Sequence, residues 1–203
     1  MSDPAKPKLR YVDLLRETRP DKPMAELIDG VIHRKASPRL RHGVAQVGIA
    51  RMTEPSEDGS GDDPWWIVIE PDVIFTEHTV LRPDVAGWRK VRLPIPPDAP
   101  TAVLPDLICE VLSPGHERYD RLTKREIYQA HGVPFIWLVD PTIRIVEAYG
   151  LHGDMYVHLG TWGDEDHQAR IPPFEFLVDV ARLFVPRPDE PLIVAEAQRV
   201  HYG

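Results

Sequence analysis

One stretch of the chain constrains the fold more than any other, because it reads as a strand, a helix and a second strand in close succession. The first strand is predicted over 106–112, the helix over 119–131 and the second strand over 135–140. The last run is apolar until its final residue, as in an interior strand that is covered on both faces. Strands joined by a helix normally run parallel with a right-handed connection. We therefore predict a mixed β-sheet flanked by helices, in the α/β or α+β class.

The segments before this unit predict further strands and one helix. A two-residue Asp29-Gly30 turn between short apolar runs is a strong signal for an additional N-terminal hairpin over 26–34. Apolar residues at helical spacing predict a helix over 40–52. Three strand-like runs then indicate a meander of antiparallel strands, at 65–70, 73–77 and 79–85.

The length of 203 residues is that of one domain with a single core. We predict a flexible N-terminal arm over residues 1–10, one domain over 11–186 and a C-terminal extension over 187–203. The connection over 89–105 is long and rich in proline. A connection of this kind in a compact domain is typical of an active-site flap or a dimer contact.

Charge and composition exclude several classes of protein. A formal net charge of −8 and a pI of about 5.6 argue against a protein that coats nucleic acid, because such binding needs many lysines and arginines. The net charge remains compatible with an enzyme that engages DNA locally and uses a metal ion to supply positive charge. A single cysteine excludes an intramolecular disulfide and a multi-cysteine zinc site. No bilayer-spanning run and no signal peptide are evident, so we expect a cytoplasmic protein.

Glu110 is the most informative single residue, because it interrupts the apolar strand Leu107 to Leu112. A carboxylate inside an apolar strand is costly unless it is paired, protonated or bound to a metal ion. Two structural explanations compete with a functional one. The strand can lie at an edge with one face in solvent, or Glu110 can form a buried ion pair with an arginine.

Strand spacing decides which acids can join Glu110 at one ion. Asp106 points to the same face, but four residues of strand separate the two by roughly 13 Å at ~3.3 Å per residue. That separation is too large for shared ligation, because oxygen ligands lie about 2.1 Å from magnesium. Asp84 is predicted on another strand, and lateral pairing at about 4.8 Å can bring it beside Glu110. Asp72 is the reserve candidate.

The predicted helix carries a polar stripe that faces inward. Asp120, Lys124 and Tyr128 follow one another at a spacing of four residues, so they share one side of the helix. Tyrosine at such a position is normally half-buried. A lysine on this side is suited to orient an attacking water or to stabilise charge that develops on a phosphate.

Taken together, these motifs resemble the Uma-two family of restriction endonucleases, within the PD-(D/E)XK nuclease superfamily. The similarity extends from about Tyr11 to Phe184. The motifs that carry it are Arg82-Pro83-Asp84-Val85, the run from Pro105 to Pro114, Tyr119-Asp120-Arg121 with Lys124 and Tyr128, Gly132-Val133-Pro134, and Trp137 to Pro141.

The resemblance implies a restriction-endonuclease-like fold and cleavage of phosphodiester bonds with Mg²⁺, for which Mn²⁺ can substitute. Asp84 corresponds to the motif aspartate and Glu110 to the second acid, and Glu26 resembles the acid that completes the metal site. The lysine that usually follows two residues after the second acid is replaced by Leu112. The resemblance assigns its role to Lys124, from the next helix.

The function implied is that of a metal-dependent DNA endonuclease that uses a metal-activated water, with a homodimer favoured for cleavage of two strands. His42 and Tyr128 are supporting residues in this interpretation, although a histidine at a helix start is also a common capping residue. Lys124 can act as a base or as an electrostatic stabiliser. Two alternatives remain: a nuclease fold without activity that binds DNA or protein, and another metal-dependent phosphoesterase that acts on RNA or nucleotides.

Overall fold

The computed structural model describes residues 7–18, 24–35, 39–52, 65–113 and 118–187. Within these residues, ten strands form two sheets, and helices pack against them. Most of the predicted arm and of the C-terminal extension lies outside the described residues. No helix in the described part of the chain is long and apolar enough to cross a bilayer.

The helical elements are α1 (Tyr11–Glu17), α2 (Leu40–Met52), a π-helix (Tyr119–Lys124) that runs directly into α3 (Arg125–Ala130), and a 3₁₀ turn (Val180–Leu183). The strands are β1 (Ala25–Ile28), β2 (Val31–Arg34), β3 (Trp65–Ile69), β4 (Val73–Thr76), β5 (Thr79–Leu81), β6 (Val85–Arg89), β7 (Leu107–Val111), β8 (Phe135–Asp140), β9 (Ile145–His152) and β10 (Met155–Gly163).

The larger sheet confirms the predicted mixed topology. Its six strands follow the order β10-β9-β8-β7-β6-β3. β7 and β8 run parallel and are joined by the π-helix and α3, whereas the other neighbours are antiparallel. The parallel pair lies in the middle of the sheet, and β8 is almost entirely buried, as its apolar sequence predicts. The fold is therefore of the mixed α+β class.

The predicted meander is confirmed for the antiparallel pair of β4 and β5, and it is wrong for β3, which belongs to the other sheet. β3 pairs with β6 at the edge of the larger sheet, while β4 and β5 join the N-terminal hairpin in a four-stranded sheet of order β2-β1-β5-β4. The chain leaves β3 through Glu70, whose backbone has a φ of 51°, in the left-handed region. A turn of this kind carries the next strand out of the first sheet. The predicted hairpin is present, with Asp29 and Gly30 at its turn.

The two faces of β7 contact different layers of the protein. On one face, Leu107, Cys109 and Val111 pack in a cluster that includes Ala45 and Ile49 of α2. On the opposite face, Ile108 packs in a second cluster with Tyr128 of α3 and with residues of the smaller sheet. Glu110 has the same parity as Ile108, so it points to this second face. The crossover helix and the smaller sheet thus cover the face that carries the acid.

The long connection after β6 packs back onto the protein. The indole nitrogen of Trp66 donates to the carbonyl of Leu93 at 2.9 Å, and that of Trp88 donates to the carbonyl of Val103 at 2.7 Å. These bonds lie at the end of β6 that is far from Asp84, so the geometry does not support a flap over the acids. Val91 and Ile95 in this connection have exposed side chains, and the dimer contact stays a prediction.

Candidate active site

The pairing of β6 with β7 places Asp84 beside Glu110. The register joins Val85 to Cys109 and Ala86 to Ile108, so its continuation sets Asp84 opposite Glu110 on the same face. The backbone N–H of Val111 donates to Asp84 Oδ2 at 2.8 Å, which fixes the orientation of that carboxylate. Both acids are buried. Two adjacent strands thus bring together the two acids that the sequence singled out.

Glu110 forms a buried ion pair, but with a lysine instead of an arginine. Lys124 Nζ lies 3.1 Å from each carboxylate oxygen of Glu110, and the hydroxyl of Tyr128 donates to Oε1. The two helical residues lie one turn apart on the inward side of the crossover. Glu110 therefore has three hydrogen bonds, which satisfy a polar group that the surrounding apolar strand would otherwise disfavour.

Lys124 lies among carboxylates from three parts of the fold. In addition to Glu110 of β7, its ammonium group lies 3.1 Å from Glu26 Oε1 on β1 and 3.6 Å from Asp120 Oδ1 on the π-helix. Glu26 is held in turn by the backbone N–H of Arg82, at 3.0 Å, and by the hydroxyl of Tyr119, at 3.2 Å. The ammonium group of Lys124 therefore contacts acids from both sheets and from the crossover helix.

The crossover starts as a π-helix, which the sequence pattern did not predict. Residues 119–124 adopt this wider helix, and the regular helix begins only at Arg125. Both Asp120 and Lys124 lie on the buried side of the π-helical segment. π-Helical turns are rare and frequently occur at functional sites. Apolar spacing does not distinguish the two helix types, so no sequence pattern predicts this change.

The charge of Lys124 argues against a role as general base in this state. Burial alone would lower its pKa, but Glu110, Glu26 and Asp120 surround it and raise the pKa well above its ordinary value. A lysine that acts as a base near neutral pH needs a lowered pKa. The arrangement instead favours a fixed positive charge that orders the carboxylates.

Asp84 and Glu110 have pKa values displaced in opposite directions. Burial raises the pKa of Glu110 to about 8, with the carboxylates of Asp84 and Asp120 acting in the same direction and Lys124 opposing them. Burial would also raise the pKa of Asp84, but a hydrogen bond from His42 and the charges of the nearby lysines lower it below the ordinary value. Neighbouring acids with separated pKa values are typical of catalytic sites.

We expect the free energy of unfolding of the metal-free protein to decrease as the pH rises from 4.5 to about 8, the interval between the ordinary pKa of a glutamate and the pKa of Glu110 in the folded protein. In this interval folded Glu110 retains a proton that the unfolded chain has lost, so the folded state binds more protons and loses stability as the pH rises. Urea unfolding across the interval checks this, with Glu110→Gln as the comparison. Identical pH slopes in both proteins would contradict the assignment.

A second group of side chains converges on the other side of Asp84. One ligand atom from each of His42, Glu70 and Asp84 lies within 4.8 Å of the others. His42, near the start of α2, places Nε2 3.2 Å from Asp84 Oδ1 and Nδ1 3.1 Å from the hydroxyl of Ser113. Gln46, one turn later, donates to Glu70 Oε1 at 3.1 Å. Asp84 therefore belongs to both groups.

This donor set fits a divalent cation. Two carboxylates and an imidazole are ligands of common protein metal sites. Ligand atoms about 2.1 Å from one ion lie at most ~4.2 Å from one another. The three ligand atoms lie within 4.8 Å of one another, so they would need to move little to bind one ion. The charge balance of the buried cluster points the same way. Two lysines, Lys35 and Lys124, face an excess of carboxylates, namely Asp84, Glu110, Glu26 and Asp120. A divalent cation would reduce this excess.

The predicted ligand set and the observed groups overlap at Asp84. Glu110 and Glu26 both contact Lys124, and among the described residues they do not converge with Asp84 as His42 and Glu70 do. The set of Asp84, Glu110 and Glu26 stays a prediction. Glu70 was missed because it reads as the last residue of the strand predicted over 65–70, and its backbone N–H donates to the carbonyl of Asp84 at 3.1 Å only once β3 has paired with β6.

The other two acids considered from the sequence have structural partners. Asp72 accepts from the guanidinium of Arg82 at 2.7 Å. Asp106 accepts from the backbone N–H of Arg89 at 3.0 Å and from the side chain of Arg92 at 2.7 Å, which anchors the start of β7. Neither carboxylate belongs to the group around Asp84.

Comparisons with known proteins agree with this description. A family model described as "Putative restriction endonuclease", that of the Uma-two family, matches residues 10–181. A solved structure described as "a putative nuclease belonging to DUF820 from Anabaena variabilis" is similar with a TM-score of 0.64 and 21% identity, over 86% of this chain and 97% of that chain. At this identity the similarity establishes the fold. A search of proteins of curated function gave no match. Because the family model matches most of the length of this chain, the chain belongs to the Uma-two family.

Proposed function

We propose that this protein is a divalent-metal-dependent endonuclease that hydrolyses phosphodiester bonds in DNA. The observation that carries the proposal is the position of Asp84, which converges with His42 and Glu70 on one side and lies beside the Glu110–Lys124 pair on the other. Metal ligands next to a buried acid and a fixed positive charge form a combination suited to phosphodiester hydrolysis. Membership of the family supports the same reaction class.

The residues around Asp84 are suited to hold the cation in one geometry. When bound, a divalent cation lowers the pKa of a coordinated water and neutralises charge on the phosphate. The Val111 N–H fixes Asp84 Oδ2, so Oδ1, which Lys35 and His42 contact in the metal-free protein, would be the oxygen that faces the ion. The bond between Ser113 and His42 Nδ1 directs Nε2 toward Asp84. Partners of this kind orient metal ligands and strengthen binding.

The second group supplies proton transfer and positive charge. In hydrolysis, the water oxygen forms a new bond to phosphorus, an existing P–O bond breaks, and the leaving oxygen takes a proton. Glu110, with a pKa of about 8, still carries its proton at neutral pH, so it is suited to donate that proton to the leaving oxygen, while the water releases its own proton to solvent. Lys124 contributes a fixed charge, and Glu26 and Tyr128 hold this pair in place. In the assignment from the family resemblance, Glu110 and Glu26 bind the cation instead.

We further propose Mg²⁺ as the cofactor. Mn²⁺ should bind more tightly as a substitute, because an imidazole in the donor set favours transition ions over Mg²⁺.

A cytoplasmic homodimer is the expected state, since two copies of the site would cleave both strands of a duplex. The dimer prediction is checked by light scattering of the purified protein with and without the cation.

Cleavage of supercoiled plasmid and of single-stranded DNA, with Mg²⁺, Mn²⁺ or a chelator, tests the proposed function directly. We expect cation-dependent nicking by the wild type and its loss in Glu110→Ala, because that change removes the proton donor and leaves Lys124 short of one partner. Calorimetry of Mn²⁺ binding to the same samples separates binding from chemistry. A wild type that binds no cation and cleaves neither DNA would contradict the proposal, and cleavage restricted to RNA would favour the phosphoesterase alternative.

A further inference from the structure

The two lysines of the buried cluster differ in their access to solvent. The side chain of Lys124 is 1% exposed, whereas that of Lys35 is 19% exposed. Lys35 Nζ donates to Asp84 Oδ1 at 3.2 Å and to the carbonyl of Arg82 at 2.8 Å. Lys35 therefore lies on the solvent side of Asp84, where a substrate has to enter, and Lys124 lies behind the acids.

The backbone of Lys35 is anchored in the N-terminal hairpin, while its ammonium group bonds to Arg82 and Asp84 outside that hairpin. Lys35 follows β2, and its N–H donates to the carbonyl of Met24 at 2.8 Å, which extends the N-terminal hairpin by one bond. The side chain then reaches from the smaller sheet to Asp84, which lies just before β6 of the larger sheet. The four-carbon stem of a lysine is flexible, so rotation about its bonds can move the ammonium group without any change in the hairpin.

A divalent cation and Lys35 cannot share Asp84 Oδ1 without strong repulsion. The oxygen that faces His42 Nε2, at 3.2 Å, is the same oxygen that accepts from Lys35. Binding of an ion at His42, Glu70 and Asp84 would therefore displace the ammonium group from Asp84. Lys35 can leave toward solvent, whereas movement of Lys124 would leave several buried carboxylates without a cation.

We propose that Lys35 is a phosphate-contacting residue that neutralises Asp84 in the metal-free protein and turns to the phosphodiester when a divalent cation occupies Asp84. This inference rests on the proposed nuclease function, and it assigns different tasks to the two lysines. Lys35 is the positive charge that meets the substrate. Lys124 is the buried charge that orders Glu110, Glu26 and Asp120.

The test compares Lys35→Met and Lys35→Arg with a matched control, Lys90→Met. Lys90 follows the other end of β6 from Asp84, roughly 20 Å away at ~3.3 Å per residue, and its ammonium group lies 4.1 Å from the centre of the Trp66 ring. Calorimetry measures Mn²⁺ binding. Fluorescence anisotropy measures the binding of a labelled DNA duplex in Ca²⁺ at several salt concentrations, and plasmid nicking measures activity.

For Lys35→Met we expect Mn²⁺ to bind as tightly as in the wild type or several-fold more tightly, because the competing charge is gone. DNA affinity should decrease about tenfold, and the slope of log affinity against log salt should become smaller by about 1, as for the loss of one phosphate contact. Nicking should decrease accordingly. Lys35→Arg should retain the salt slope, and Lys90→Met should bind Mn²⁺ as the wild type does.

The possible outcomes separate this inference from the proposed function. A Lys35→Met protein with unchanged DNA affinity, salt slope and nicking overturns the role of Lys35 and leaves the nuclease proposal intact. Loss of Mn²⁺ binding in Lys35→Met also overturns it, because Lys35 would then only support Asp84. A wild type that binds neither Mn²⁺ nor DNA overturns both.

Discussion

Replacing Asp84 by asparagine is expected to reduce Mn²⁺ affinity at least 100-fold and plasmid nicking about 1,000-fold, since a ligand should matter more than the 10–100-fold typical of its supporting partners. Asparagine can still accept from the Val111 N–H through its side-chain oxygen. Its amide NH₂ group would face two further donors, Lys35 and His42, at the position of Oδ1. The change thus removes the negative charge that the two groups of residues share.

Asp72→Asn is the matched control for this change. Asp72 also follows a proline, but its partners are Arg82 and Tyr11, and it lies outside the group around Asp84. We expect Asp72→Asn to keep both Mn²⁺ binding and nicking, with at most a small loss of stability. Calorimetry and plasmid nicking on the two variants give the comparison. Equal losses in both proteins, or Mn²⁺ binding retained in Asp84→Asn, would contradict the assignment of Asp84.

The part of the fold that could be predicted is the part determined by local patterns. The fully apolar run of β8 predicted an interior strand, and the crossover from β7 predicted the parallel pair. Glu110 stood out because a charge inside such a strand needs a partner, and the helical spacing of Lys124 and Tyr128 predicted which side of the helix faces inward. These inferences use residues a few positions apart, so they do not depend on the rest of the fold.

The residues that sequence reasoning missed depend on contacts between distant segments. Glu70 reaches Asp84 only because β3 pairs with β6 before the chain turns into the smaller sheet. Lys35 reaches Asp84 only because the N-terminal hairpin belongs to that smaller sheet and extends toward β6. Glu70 ends a predicted strand, and Lys35 follows directly after the predicted hairpin. Periodicity and composition carry no information about which strand end lies beside which other strand, so neither residue could be distinguished from an ordinary surface charge.

Replacing Lys124 by methionine is expected to lower the free energy of unfolding by about 3–5 kcal/mol at neutral pH, the effect typical of removing one partner from a buried ion pair. Methionine keeps much of the volume of lysine but leaves Glu110, Glu26 and Asp120 without the cation that they share. Burial raises the pKa of Glu110 to about 8 and also raises the pKa of Asp120, so both acids take up protons more readily as the pH falls. The loss of stability should therefore be smaller in acid and larger as the pH rises.

The double variant Lys124→Met with Glu110→Gln separates the charge from the packing. Glutamine keeps an oxygen for the Tyr128 hydroxyl but carries no charge, so the double variant should be more stable than Lys124→Met alone. Urea unfolding of the wild type, both single variants and the double variant gives the coupling energy, and Lys90→Met should stay within about 0.5 kcal/mol of the wild type. If the two effects simply add, the ion pair does not stabilise the fold, and the buried carboxylates must be neutral when Lys124 is absent. A double variant that is more stable than the sum of the two single losses predicts would identify Lys124 as the charge that compensates the buried acids next to the metal ligands.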